Sequence, residues 1–143
     1  MRVFDVNILV YAFRPDLDHH KLCRGLLDDA RARAMPFGLS ELALSGFVRV
    51  VTSKRIFQQP DASADALQFC AALYASPNAR PLRPGARHWP IFTELCSKVQ
   101  ARDKLVADAY HAALALEHGA EWVSTDRDFA KFPDLRWFNP PAN

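Results

Sequence analysis

The stretch Val3-Phe4-Asp5-Val6-Asn7-Ile8-Leu9-Val10-Tyr11 places a carboxylate inside an apolar run. An ionised carboxylate is costly to bury unless a cation, hydrogen bonds or a shifted pKa compensates it. A strand that ends in Asp5 and is followed by Asn7 would bring two oxygen-bearing side chains to the carboxyl edge of a sheet, where open α/β folds bind their ligands. Asp5 is therefore the first candidate for chemistry.

From this first strand outward, segments of strand and helix character alternate, which predicts an α/β fold around a mainly parallel sheet. A short helical turn is expected over residues 9–13, and the Pro-rich segment 77–90 is expected to be an extended connection. Further strands are expected over 35–39, 121–125 and 136–138. Helices are expected over 19–33, 41–52, 62–74, 89–100 and 105–118, the last closed by Gly119.

Length and composition limit the class of protein. With 143 residues, half of them hydrophobic, the chain has the usual size of one domain, so residues 1–143 are expected to form a single domain. The three cysteines, at positions 23, 70 and 96, lack paired or metal-type spacing, which argues against a disulfide framework or a zinc knuckle. No signal peptide or membrane-spanning stretch is recognisable, so a cytoplasmic protein with no membrane association is expected.

Four acids occupy comparable places in the predicted elements. Asp5 and Asp126 follow strands, whereas Glu41 and Asp108 lie in the first turns of helices. Strand ends and helix starts meet at one edge of a parallel sheet, so the four carboxylates are expected to converge. Clustered carboxylates repel one another unless they are protonated or hold a cation, and hard oxygen ligands favour Mg²⁺ or Mn²⁺ over zinc. The pattern predicts a divalent-metal site.

Two of these acids have neighbouring rivals. Asp103 is either an alternative ligand to Asp108 or the N-cap of the same helix, and Asp108 is the favoured ligand. Asp128 competes with Asp126, and either is placed to cap the short element that follows. Asp126 is the stronger metal candidate and Asp128 a secondary one.

Other polar residues near these acids have both a structural and a functional interpretation. Ser40 and Thr125 would supply hydroxyls to the site, although helix capping explains each equally well. Glu41 in a first helical turn is also stabilised by the helix dipole without any function. Arg49 lies on the same helical face as Glu41 and is a candidate for contacting a substrate phosphate, whereas an arginine on a helix surface is more often simply solvated.

A phosphodiester is the natural substrate of such a site. Bound metal activates water, neutralises the charge that develops on the phosphate oxygens and stabilises the leaving oxygen, so no protein nucleophile is required. Outside the four acids, 12 Asp and Glu face 18 Lys and Arg, and an acidic pocket on a basic body suits a polyanionic substrate. An ordinary solvated surface explains the same charge balance.

The chain resembles the PIN-domain ribonucleases, and among them the VapC toxins of bacterial toxin–antitoxin pairs. The resemblance lies in the stretches 4–11 (FDVNILVY), 40–42 (SEL), 106–115 (VADAYHAALA), 118–120 (HGA) and 124–129 (STDRDF). The last two together are the most specific, and the order of the acids runs through nearly the whole chain. At position 103, where this chain has Asp, related toxins more often carry an uncharged residue.

The resemblance implies a three-layer α/β/α sandwich and Mg²⁺- or Mn²⁺-dependent cleavage of a structured RNA such as tRNA or rRNA, with growth arrest as the outcome. It also implies a cognate VapB-type antitoxin and a toxin homodimer. By matching position, the metal would be carried by Asp5, Glu41, Asp108 and Asp126. Asn7, Thr125 and Asp128 would orient ligands or water.

Two other functions compete with this interpretation. A haloacid-dehalogenase-like phosphatase also begins with Asp after an apolar strand, but it needs a second Asp two positions later, where this chain has Asn7. A catalytically silent PIN-fold module that binds RNA or protein is the main alternative. Its expected signature is a missing acid, and all four acids are present.

Overall fold

The structure, a computed structural model, describes residues 1–142. Its strands are β1 (Arg2–Phe4), β2 (Phe37–Ser40), β3 (Ala79–Leu82), β4 (Glu121–Val123) and β5 (Trp137–Phe138). Its α-helices are α1 (Val6–Phe13), α2 (His20–Ala32), α3 (Glu41–Val51), α4 (Ser63–Tyr74), α5 (His88–Val99) and α6 (Lys104–Glu117). Short 3₁₀ helices span Arg127–Lys131 and Pro140–Ala142.

The strands form one sheet in the order β3-β2-β1-β4-β5, and each described strand pair is parallel. The chain moves outward from β1 to β3 and then returns to β4 on the other side of β1. Because crossovers between parallel strands are right-handed, this reversal places α1 to α4 on one face and α5 with α6 on the other. The contacts of α1 with α2 and α3, of α3 with α4, and of α5 with α6 agree with this arrangement. The predicted three-layer α/β/α fold is confirmed.

The reversal creates a topological switch point between β1 and β4, the two strands from which the chain departs in opposite directions. Open α/β sheets bind their ligands outside the carboxyl ends of such strands. Phe4, the last residue of β1, pairs with Val123, the last residue of β4. The segments that follow these two strands, each beginning with a polar residue, therefore start side by side.

The first apolar run differs from the sequence-based expectation. The strand stops at Phe4, and α1 begins at Val6 rather than near residue 9. The strand stops there because Asp5 is the N-cap of α1: its backbone is still extended (φ −69°, ψ 163°), and its carboxylate accepts a hydrogen bond from the amide of Val6 at 2.7 Å. Most of the apolar run is therefore a buried helix, which a continuous run of hydrophobic residues does not distinguish from a strand.

The segment 77–90 contains a strand that the sequence analysis did not predict. β3 pairs in parallel with β2 over its whole length, from Ala79 opposite Phe37 to Leu82 opposite Ser40. β3 lies at the edge of the sheet, where Pro81 is tolerated because its missing N–H can face solvent. Arg80 and Pro81 are exposed, so β3 lacks the apolar signature of the inner strands.

The core lies between the sheet and the two helical layers, and its largest fully buried side chains include Trp122, Phe47, Phe129 and Ile8. Gly119 follows α6 with φ +62°, a left-handed conformation that glycine adopts without a steric cost, as predicted for the end of this helix. Cys23, Cys70 and Cys96 are free thiols. Within residues 1–142 no helix combines the length and apolarity needed to cross a membrane.

Candidate metal centre

Asp5 lies at the centre of a hydrogen-bond network at the switch point. One carboxylate oxygen accepts from the amide of Val6, and the other accepts from the Ser124 hydroxyl at 2.6 Å and from the Asn7 side-chain amide at 3.1 Å. The Asn7 amide also reaches the Ser124 hydroxyl oxygen at 3.1 Å, and the Asn7 carbonyl accepts from the amide of Thr125 at 3.2 Å. These bonds join the segment after β1 to the segment after β4 and fix the orientation of the carboxylate.

Burial is the main influence on the ionisation of Asp5, whose exposed fraction is 6 %. Burial raises the pKa of Asp5, and the nearby Asp108 carboxylate raises it further, whereas the hydrogen bond from Ser124, the His111 ring and the Val6 amide oppose that rise. A buried carboxylate beside a second carboxylate is a group that a divalent cation would stabilise in its ionised form.

Asp126 is held at the end of β4 by local hydrogen bonds. Its amide donates to the Ser124 hydroxyl oxygen at 3.0 Å, and one carboxylate oxygen accepts from the amide of Asp128 at 2.9 Å, capping the 3₁₀ helix that follows. The other carboxylate oxygen bonds to the Lys104 ammonium group. Although burial favours a higher pKa, the bonds from Lys104 and Asp128 outweigh it, and the pKa of Asp126 lies below its ordinary value.

Asp108, Asp126 and Asp128 form the acidic cluster. Asp108, in the second turn of α6, is buried, and carboxylate oxygens of the three residues lie within 4.8 Å of one another. Burial raises the pKa of Asp108 and the Asp126 charge adds to the rise, although the bond from Lys104 opposes it. The structure therefore brings together the predicted ligands Asp108 and Asp126 and the secondary candidate Asp128, with Asp5 close enough to Asp108 for their charges to interact.

A lysine that the sequence analysis did not consider lies within this cluster. Lys104, the first residue of α6, donates to Asp108 at 2.8 Å and also bonds to Asp126. Burial favours a lower pKa, but the bonds to the two carboxylates dominate and raise the pKa of Lys104. Its ammonium group therefore stays charged and neutralises part of the cluster.

Glu41 lies apart from the acidic cluster. It starts α3 as predicted, but its side chain is more than half exposed and pairs with the still more exposed guanidinium of Arg83 at 2.7 Å. Both side chains line a groove of about 930 Å³ beside the cluster. Of the four acids that were expected to share one cluster, Asp108 and Asp126 do so, Asp5 lies near enough to Asp108 for their charges to interact, and Glu41 faces the neighbouring groove.

The side groove is formed between α3, the end of β3, α5 and α6. Its wall is mostly apolar and includes Leu42, whose side chain is 47 % exposed. The lining residues are Ser40, Glu41, Leu42, Leu82, Arg83, Pro84, Phe92, Asp103, Val106, Ala107, Tyr110, His111 and Leu114. The groove provides an apolar surface next to the acids.

The secondary candidates have mainly structural contacts. Ser40 is buried and caps α3 by accepting a hydrogen bond from the amide of Ala43 at 3.2 Å. Thr125 contributes its backbone amide, which holds Asn7. Arg49 is exposed on α3, two turns from Glu41, and does not line the side groove.

Asp103 occupies the N-cap position of α6, but its side chain makes no capping hydrogen bond. Its backbone has φ 53° and ψ −130°, a region that favours glycine. The carboxylate lines the side groove and is not among the three that converge at the acidic cluster. The capping interpretation of Asp103 is therefore wrong with respect to its side chain.

Three residues of the site were missed by sequence reasoning, namely Ser124, Lys104 and His111. Ser124 precedes the acid by two positions, a spacing at which a serine hydroxyl bonds backbone amides, and Lys104 precedes Asp108 by one helical turn. His111 follows Asp108 by three residues on the same helical side and stacks on Trp122 at 5.0 Å between ring centroids. Burial lowers the pKa of His111, although the Asp5 and Asp108 charges oppose that shift.

The acidic cluster has the donor chemistry and approximate size of a Mg²⁺ or Mn²⁺ site. These ions prefer carboxylate oxygens, and opposite ligands of one Mg²⁺ lie about 4.2 Å apart because each bond is about 2.1 Å long. The 4.8 Å spread of the three oxygens is only slightly larger. The cluster can accept a divalent ion after a small inward movement of the side chains.

Comparison with known sequences identifies the family to which the chain is similar. A family model described as PIN domain matches residues 2–135. Ribonuclease VapC43 of Mycobacterium tuberculosis is 49 % identical over 140 residues, which cover 98 % of this chain and 95 % of the relative. Ribonuclease VapC25 of the same organism is 39 % identical over 141 residues, which cover 99 % of both chains.

Solved structures show the same fold at low sequence identity. VapBC2 from Rickettsia felis, bound to a DNA fragment from its promoter, aligns with a TM-score of 0.69 at 18 % identity and covers 96 % of this chain and 97 % of the other. VapC20 of Mycobacterium tuberculosis, described as a sarcin-ricin loop cleaving toxin, aligns with a TM-score of 0.66 at 16 % identity, covering 95 % and 99 %. At these identities the similarity concerns the fold.

Proposed function

Because the chain belongs to the PIN-domain family, and within it to the VapC ribonucleases, we propose that it is a metal-dependent endoribonuclease toxin. The observation that carries this proposal is the convergence of Asp108, Asp126 and Asp128 at the switch point, with the buried Asp5 beside them. These acids come from three segments distant in sequence and form a site of the kind that a phosphodiester-cleaving metal enzyme requires.

The acidic cluster would hold Mg²⁺ or Mn²⁺, with Asp108 and Asp126 as principal ligands and Asp128 as the third carboxylate. Such an ion supplies an activated water and neutralises charge on the scissile phosphate. Asp5 would add negative charge beside Asp108. Ser124 and Asn7 hold its second carboxylate oxygen in place. Ser124 also binds the amide of Asp126, so one hydroxyl positions two acids.

Glu41 has a different role in this proposal. Its carboxylate lies in the side groove and is paired with Arg83, so it joins the metal centre only after that ion pair opens. Substrate phosphate is the natural competitor for the Arg83 guanidinium, because arginine binds phosphate as readily as carboxylate. RNA entering the groove would then free the Glu41 carboxylate from Arg83.

The proposed substrate is a structured RNA such as tRNA or rRNA, and its cleavage would arrest growth. Support comes from the names of the relatives, which are ribonucleases, and from VapC20, whose description specifies cleavage of the sarcin-ricin loop. We further propose a single PIN domain over residues 1–143, a cytoplasmic location and a homodimer. A VapB-type antitoxin partner is supported by VapBC2, a similar structure named for both components.

The test is cleavage of total cellular RNA by the purified, antitoxin-free protein in Mn²⁺ or Mg²⁺, with a parallel sample in chelator. Asp126→Asn removes one ligand charge, and Asp134→Asn is the matched control because Asp134 is exposed and its φ of 67° suits asparagine. The proposal predicts discrete fragments that require metal and Asp126 but not Asp134. Intact RNA with both metals and a folded protein would instead identify a catalytically silent binding module.

A further inference from the structure

Lys104 is the one side chain whose cationic group bonds two members of the acidic cluster within residues 1–142. It bonds to Asp108, one turn further along α6, and to Asp126, which lies in the segment after β4. Asp128 is paired separately with Lys131 at 3.1 Å. The ammonium group of Lys104 therefore lies where the carboxylates of two different elements converge.

This arrangement differs from an ordinary ion pair on a helix surface. Asp108 is buried, and both its burial and the nearby Asp126 charge destabilise its ionised form. A cation between the two carboxylates relieves both effects.

We propose that Lys104 is an internal counter-ion of the metal centre, whose ammonium group occupies the space between Asp108 and Asp126 until a divalent cation displaces it. The inference rests on the proposed function, which requires the metal. It adds a competition within the chain itself, because lysine and metal cannot bind the same pair of carboxylate oxygens at once.

The side chain of Lys104 is free to leave. It is 65 % exposed and starts α6, so rotation into solvent disrupts no packed core. If the two carboxylates are free of lysine for only a fraction of the time, the apparent metal affinity is the intrinsic affinity multiplied by that fraction. If each of the two ion pairs of Lys104 has the modest strength of an exposed pair, losing both with the lysine should tighten metal binding by about five- to tenfold.

The experiment is calorimetric titration of chelator-treated, antitoxin-free protein with Mn²⁺. Lys104→Met keeps the length and helix propensity of the side chain but removes its charge. Lys98→Met is the control, since Lys98 pairs with Glu94 at 3.1 Å across one turn of α5 and is similarly exposed. We expect Mn²⁺ to bind about five- to tenfold more tightly to Lys104→Met and with unchanged affinity to Lys98→Met.

Two further variants separate this role from a purely structural one. Lys104→Arg retains the cation and should keep the weaker affinity of the parent protein, whereas Asp126→Asn should abolish the binding that the titration detects. In chelator, Lys104→Met should melt at a lower temperature than the parent protein, and saturating Mn²⁺ should remove the difference.

The outcomes distinguish failure of the inference from failure of the proposed function. If the parent protein binds Mn²⁺ through Asp126 and Lys104→Met binds it equally or more weakly, the counter-ion role is wrong and the metal centre stands. If neither protein binds Mn²⁺ and neither cleaves RNA, the proposed function is wrong, and the inference is wrong with it.

Discussion

Asp5 joins backbone structure and site chemistry in one side chain. Its carboxylate caps α1 and accepts hydrogen bonds from Ser124 and Asn7, while its burial raises its pKa. Removing the side chain entirely would delete a helix cap as well as a charge, which typically costs about 1 kcal/mol of stability. Asp5→Asn is therefore a more informative change than Asp5→Ala, because it keeps an oxygen acceptor for the Val6 amide.

The first prediction concerns the pH dependence of stability. Because the folded-state pKa of Asp5 lies above its ordinary value of 3.8, the native state binds more protons than the unfolded state just above that pH. The contribution of Asp5 therefore becomes less favourable as pH rises through this window. In urea unfolding in chelator, Asp5→Asn should gain stability relative to the parent protein as the pH rises above the ordinary Asp pKa of 3.8. A constant difference across this range would contradict the assignment.

A second prediction concerns Ser124, whose hydroxyl binds both the Asp5 carboxylate and the Asp126 amide. Residues that orient metal ligands typically contribute about 10- to 100-fold to metal affinity or activity. Ser124→Ala should reduce Mn²⁺-dependent RNA cleavage by that factor. Ser76→Ala is the control because it also removes a buried hydroxyl, one that bonds Arg31. Equal loss of activity in both variants would show a general effect of destabilisation.

At the scale of elements, sequence patterns predicted most helices correctly because amphipathic spacing and capping are local properties. Ser40 capping α3 and Gly119 ending α6 are examples. The wrong predictions concern segments whose secondary structure depends on contacts with other elements. β3 is a strand because β2 provides a partner, and the run after Asp5 is helical because the Asp5 carboxylate satisfies an amide at the helix start.

The start of α6 provides a prediction at this scale. Asp103 adopts φ 53° and ψ −130°, a conformation that costs a non-glycine residue about 1–3 kcal/mol. Asp103→Gly should therefore raise the free energy of unfolding by about 1 kcal/mol, measured in urea. Asp103→Ala, which removes the same carboxylate but keeps the strain, should not.

The same two variants test whether Asp103 is a metal ligand. Its carboxylate lines the side groove and does not join the acidic cluster. Both variants should bind Mn²⁺ with the affinity of the parent protein. A large loss of affinity in both would reinstate Asp103 as the rival ligand to Asp108.

At the scale of the whole molecule, the acids meet because the strand order reverses at β1. The sequence predicted this convergence for Asp5, Asp108 and Asp126 from their places after strands and at a helix start. It did not separate Glu41 from the cluster, because the pairing with Arg83 depends on where β3 ends. Nor did it show that Lys104 bridges two acids, since Asp126 lies 22 residues further along the chain.

The side groove extends the site beyond the metal ligands. Its apolar wall and its Glu41–Arg83 pair lie next to α6, the helix that carries Asp108 and Lys104. A molecule bound in the groove would therefore contact this helix as well.

The most direct measurement is the position of Mn²⁺ in crystals of the protein, located from its anomalous scattering. The account predicts a peak bound by Asp108 and Asp126, with Asp128 as the third carboxylate and the Lys104 side chain turned away. Chelator treatment should remove the peak and return Lys104 to the two carboxylates. Well-ordered crystals with saturating Mn²⁺ and no peak at the acidic cluster, or with Mn²⁺ bound only elsewhere, would contradict the account.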